Sequence, residues 1–131
     1  TIEDGLIYFY QQMTAPEKTG HLMADPQKSS ACKRSHLFLR WMVRCDCVDP
    51  GGWNRISPAS LVVPLDTHMY RSGQLLGFTR RKSCDRRTAL EITSGFKAVN
   101  PQDPVKYDFC LTRFGIQRHL NIAQLKKIIY K

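Results

Sequence analysis

Apolar residues recur along the chain at spacings of three and four, and the segments that carry this period open and close with helix signals. Thr1 predicts the cap of a first helix with Ile2, Leu6, Phe9 and Met13 on one face. Glu3 and Asp4 fall in its first turn, where the helix dipole favours negative charge. Pro16 is expected to stop it. A connector from Glu17 to Ser29, containing Gly20 and Pro26, leads to a second helix that Ser29 or Ser30 can cap and that runs to about Arg44. Its apolar residues cover much of the circumference, which predicts a central, buried helix with Phe38 and Trp41 in the core. Lys33, Arg40 and Arg44 would then need an outlet to solvent or to a ligand.

From Cys45 to Asn54 the residues Asp46, Asp49, Pro50, Gly51 and Gly52 predict a long loop. Ser57 followed by Pro58 predicts one short helical turn, and the run Leu61 to Leu65 is extended because Pro64 restricts Val63. Asp66 caps the next helix, which carries Met69, Tyr70, Gly73 and Leu76 and ends at Gly77 in a left-handed conformation. Ser83 or Asp85 starts another, with Ala89, Ile92, Phe96 and Val99 on one face. A last clear helix starts around Asp103 and Pro104, turns Tyr107, Cys110, Leu111 and Phe114 inward and ends at Gly115. Gln124 to Lys131 reads as a short basic helix or a tail. With no internal repeat and no low-complexity stretch, residues 1–131 predict one all-α domain of five or six helices.

Composition narrows the class. A chain of 131 residues with 42% hydrophobic and 24% charged residues is built like one folded domain and unlike a disordered basic tail. The longest apolar stretch without charge, Ile56 to Leu65, is broken by two prolines and is far short of the roughly 20 residues that span a bilayer. No membrane partner is expected. No secretory signal opens the chain, and the absence of an initiator Met suggests a processed or partial sequence. The odd number and irregular spacing of the five cysteines point to a reducing, intracellular compartment, such as cytoplasm, nucleoid or mitochondrial matrix.

Charge supplies the first functional pointer. Lys and Arg number 20 against 11 Asp and Glu, a formal charge of +9, and five of the positive charges crowd into Arg80, Arg81, Lys82, Arg86 and Arg87. Such clusters face phosphate more readily than they serve solubility alone. No metal and no other cofactor is expected. Cys45 and Cys47 lack a second ligand pair, and His21, His36, His68 and His119 are scattered. Gly51 and Gly52 are turn residues and make no phosphate cradle.

The segment PLDTHMYRSGQLLGF, residues 64–78, brings a carboxylate to a helix mouth along a proline-fixed approach. Taken alone, Asp66 there is an ordinary N-cap. The segment also resembles the V-D-T-H-x-x-R-x-x-x-x-L-G motif of helix-hairpin-helix DNA glycosylases, the endonuclease III superfamily. Over His21 to Ile116, through SSACKRSHLFLRWMVR, ISPASLVVPLDTH and DPVKYDFCLTRFGI, the chain resembles an uncharacterised bacterial family held to be a distant relative of those enzymes. The resemblance implies a helical fold with DNA across a cleft and a damaged base flipped out of the stack. It also implies Asp66 as the stabiliser of the cationic sugar and Lys33 as the attacking amine of the bifunctional branch. Asp108 could lie on the substrate side.

Lys28, Arg34, His68, Arg71, Arg80, Arg81, Lys82, Arg86 and Arg87 are the expected nucleic-acid contacts. The chain lacks the superfamily's glycine hairpin before the lysine and its four-cysteine iron–sulfur cluster, and one helix precedes the matching region where relatives have several. A further chain or segment is therefore expected to complete the helical core. The same departures frame an alternative function, a non-catalytic relic of the fold acting as a basic RNA-binding component of a ribonucleoprotein such as a mitochondrial ribosome.

Overall fold

The computed structural model describes residues 1–15, 22–116 and 122–130, apart from the side chains of residues 114–116, 122, 125 and 129. It is all-α. Among the described residues six helices follow one another: α1 (Ile2–Thr14), α2 (Lys33–Val43), α3 (Thr67–Leu75), α4 (Arg86–Val99), α5 (Asp108–Ile116) and α6 (Ile122–Ile129). A single 3-10 turn, Pro58–Ser60, lies between α2 and α3. Pro16, Glu17, Gly20, His21 and His119, and the side chain of Phe114, lie outside the described residues.

The core forms where the extended run between the 3-10 turn and α3 passes under α4. Leu61, Val63 and Leu65 pack with Met69, Ala89, Ile92, Phe96 and Val105, and Leu6, Leu39 and Val43 extend the cluster towards α1 and α2. A buried extended strand with no neighbouring strand must satisfy its backbone otherwise. The Val63 N–H does so by donating to Thr93 Oγ1 at 3.1 Å, while Thr93 donates in turn to the Ala89 carbonyl within α4.

Local signals set α3 and α4 as the sequence predicts. Asp66 and Asp85 cap them by accepting from the N–H groups of Met69 and Thr88, and Gly77 follows α3 at φ +74°. Elsewhere the structure corrects the sequence reading. Neither Ser29 nor Ser30 caps α2; Cys32 stands at the N-cap with φ 46° and ψ 43°, so the helix begins at Lys33. The turns from Asn100 to Tyr107 delay α5 to Asp108, and α5 continues through Gly115 to Ile116. Phe38 and Trp41 are not core residues: they are 41% and 44% exposed, and Phe38 meets the Trp53 ring edge-on at 5.7 Å. Helical period marked an apolar face correctly but could not say whether anything covers it.

Arg40 and Arg44 reverse the expectation in the other direction. Both are buried, and their outlet is carboxylate, not solvent. Arg40 pairs with Asp49 at 3.1 Å and with Asp108, and Arg44 pairs with Asp49, with Asp46 at 2.8 Å and with Asp103 at 3.0 Å. The loop after α2 folds back to supply two of these acids. Its Gly51 and Trp53 N–H groups donate to the last carbonyls of α2, those of Trp41 and Met42, at 2.9 and 2.8 Å. Gly51 takes φ +73° there, with Cys45 Cβ 2.8 Å from where a methyl would stand, so only glycine closes this turn.

Candidate functional site

Two helix N-termini converge at the site. The left-handed turn at Cys32, whose thiol is buried against the Ala24 carbonyl, places Lys33 at the first position of α2. Pro64 and an extended Asp66, at φ −127° and ψ −176°, deliver the carboxylate to the mouth of α3. Asp66 Oδ1 accepts the Met69 N–H at 2.9 Å, and Oδ2 lies 3.1 Å from Lys33 Nζ. The amine is 48% exposed and the carboxylate 20%, so the pair sits at the surface with its acid half sheltered. Burial pulls the Asp66 carboxyl upward. The Met69 N–H, the Lys33 ammonium and nearby His68 outweigh it and hold the acid below its ordinary range. Asp66 is thus a fixed negative charge with a primary amine in contact.

Arg40 stands seven residues beyond Lys33, two turns along the same side of α2. The surface pair therefore continues inward as the buried network of Arg40, Arg44, Asp49 and Asp108. Asp108, at the start of α5, bonds Arg40 through Oδ2, while its buried Oδ1 has no hydrogen-bond partner. Burial pushes this carboxyl up to about 6; Arg40 opposes the shift, and the negative charges of Asp66 and Asp49 add to it. The sequence does not show this network, because it marks Asp46 and Asp49 only as turn formers and gives Asp108 only the substrate-side place that the resemblance implies. Acids in a turn carry no local sign of a partner 59 or 68 residues away.

The expected phosphate contacts divide into two groups. Arg81 is absorbed by the fold, reaching Thr88 Oγ1 at 3.0 Å, Ser83 at 3.2 Å and Asp85 at 2.8 Å. Arg86 pairs with Glu3, tying α4 to α1. Arg71, Arg80, Lys82 and Arg87 stand exposed, with no carboxylate partner among the described residues. Arg71 follows Asp66 on α3, and Tyr70 beside it donates to the Arg81 carbonyl at 2.7 Å, holding the loop that carries Arg80 and Lys82. Lys28 is exposed on the turn before α2, and Arg34 donates to the Leu22 carbonyl at 3.3 Å. Among the described residues no three His, Cys, Asp or Glu side chains gather as a metal site requires.

A family model described as a protein of unknown function, DUF2400, matches residues 1–117. The chain belongs to the DUF2400 family. No curated protein and no solved structure matches it. The matched span of the DUF2400 chain includes Lys33, Asp66, the whole buried network and every exposed basic residue named above. No helix among its described residues is long and apolar enough to cross a membrane.

Proposed function

We propose that this DUF2400 protein binds nucleic acid and acts on a nucleoside flipped out of the stack, as a base-excision glycosylase and lyase with Lys33 as nucleophile and Asp66 as electrostatic stabiliser. The observation that carries the reading is the 3.1 Å approach of Lys33 Nζ to Asp66 Oδ2, because both groups must reach one sugar. Lys33 attacks as the free amine, its half-exposed Nζ having released a proton to water, so that Asp66 remains a carboxylate. The Nζ lone pair then forms a bond to C1′ as the glycosidic bond breaks, and the base leaves with the bonding electrons and takes up a proton. Asp66, kept ionised by the α3 amides, stabilises the positive charge that develops on the sugar. Opening of the sugar ring leaves an imine between Nζ and C1′. Arg71, Arg80, Lys82 and Arg87 are the residues proposed to track the phosphates, which positions the strand without reading its sequence. A reducing compartment suits a chain whose cysteines are all free, four of them exposed.

The test is trapping on oligonucleotides that carry an abasic site or an oxidised guanine, with borohydride to reduce the imine. A covalent adduct that disappears in Lys33→Gln is the expected result. No adduct, together with tight, salt-dependent binding to structured RNA, would overturn the enzymatic reading in favour of the basic RNA-binding component of a ribonucleoprotein.

A further inference from the structure

Among the described residues, six of the thirteen large apolar side chains that stand exposed gather in one place. Tyr8, Phe9 and Met13 of α1, Leu22, Phe38 of α2 and Trp53 line a groove of about 1230 Å³, floored by buried Leu6 and Leu39. Concentrated exposure of this kind marks an interaction surface, whereas scattered exposure does not. The volume exceeds the roughly 300–1,000 Å³ of a small-molecule site.

The charges around the groove have one sign. Lys33, Arg34 and Arg55 are its charged lining residues, and no acidic side chain joins them among the described residues. Lys33 is held by Asp66, but Arg34 donates only to a backbone carbonyl and Arg55 has no partner among the described residues. Two guanidinium groups therefore flank an apolar trough without carboxylates to meet them.

We propose that this groove docks an amphipathic helix of a partner protein whose apolar stripe is flanked by Asp or Glu. Faces of α1 and α2 form two of the walls, and the described residues offer no sheet edge with which an extended peptide could pair. Helix-in-groove packing, with apolar side chains at i, i+3, i+4 and i+7, is the mode that this shape accepts. Acidic flanks complement Arg34 and Arg55, fixing orientation and raising the rate of encounter. The amphipathic α6 of a second copy supplies the wrong charge, because it carries Lys126 and Lys127. Nucleic acid supplies the right charge, but the trough offers mainly hydrocarbon and aromatic rings where base edges need donors and acceptors. The inference does not depend on the nucleic-acid reading, since its six apolar residues and Arg55 take no part in that reading.

The experiment is selection of binders from a display library of helical peptides with randomised faces, followed by affinity measurement by fluorescence of Trp53. Selected peptides should converge on an apolar stripe with acidic flanks, bind less tightly as salt is added, and lose at least tenfold in affinity to Arg55→Glu and to Phe9→Ser. Both substitutions lie on the surface, and circular dichroism confirms that each variant is folded. Any of four results overturns the proposal: no binder emerges, the selected peptides lack acidic flanks, the peptides bind both variants as well as the parent, or a single-stranded oligonucleotide displaces them. A dimer in sedimentation that Phe9→Ser dissolves would assign the groove to a second copy instead.

Discussion

Asp66 does two things that substitution separates. Its Oδ1 caps α3 and its Oδ2 meets Lys33. Asn keeps a cap acceptor but removes the charge, whereas Ala removes both. Asp66→Ala should therefore lose about 1 kcal/mol in urea denaturation and Asp66→Asn clearly less, because a half-exposed ion pair contributes little, while both variants lose adduct formation. His36 and Asp108 respond to pH with opposite signs. Burial drives the His36 imidazole down to about 4, with Arg86 adding to the shift, so between 6.5 and 4 the unfolded chain holds the extra proton and stability falls as the pH falls. Asp108, raised from 3.8 to about 6, binds its proton more tightly in the folded state. Its contribution is complete below 3.8 and is lost as pH rises through 6. The two slopes offset one another between about pH 4 and pH 6. Urea midpoints across that window should fall with rising pH in His36→Gln and rise in Asp108→Asn, each by at most about 1.4 kcal/mol per pH unit.

At the scale of elements, α4 packs so closely against α3 and against Phe78 just beyond it that glycine is required at one position in each contact. A methyl on Gly73 would stand 2.5 Å from Ile92 Cδ1, and one on Gly95 would stand 2.3 Å from Phe78 Cγ. Ile92 is fully buried and cannot swing aside. Gly73→Ala should cost about 1–3 kcal/mol by overpacking, and adding Ile92→Val should recover part of that loss, a coupling that a double-mutant cycle in urea measures directly. This element is also where the sequence was most legible. Asp66 and Gly77 act within a few residues of their own positions, so capping and termination can be read locally, whereas the neighbour that demands glycine at position 73 is Ile92 on another helix. The start of α2 could not be read in that way. Cys32 adopts a left-handed conformation uncommon for a residue with a Cβ, and nothing in SSACK distinguishes it from the two serines that cap so readily elsewhere. The two members of the candidate site were legible through a motif, but their contact was not. The motif placed each residue on its helix, and the left-handed turn at Cys32 together with the extended approach to α3 brings the amine to the acid.

For the molecule as a whole, charge has two destinations. Arg40, Arg44, Arg81 and Arg86 are neutralised within the fold, whereas Arg71, Arg80, Lys82 and Arg87 face outward. Of these eight, only the outward four are available to release counterions from a nucleic acid. Replacing any one of the four by Ala should flatten the plot of log affinity against log salt by about one unit, whereas a variant at Arg81 should be read first in stability. The total of +9 is legible in the composition but this division is not, because burial is a property of the folded chain. The inward group also bears on how the protein is made. Asp49 follows Arg40 and Arg44 closely, but Asp103 and Asp108 lie 59 and 68 residues beyond their partners. On a ribosome, α2 emerges long before the acids that finish neutralising it, so the helix cannot settle into its buried place until α5 has been synthesised. A nascent chain halted before residue 103 would hold Arg40 and Arg44 against Asp46 and Asp49 alone, leaving two guanidinium groups half-neutralised and open to whatever anion or chaperone was nearest.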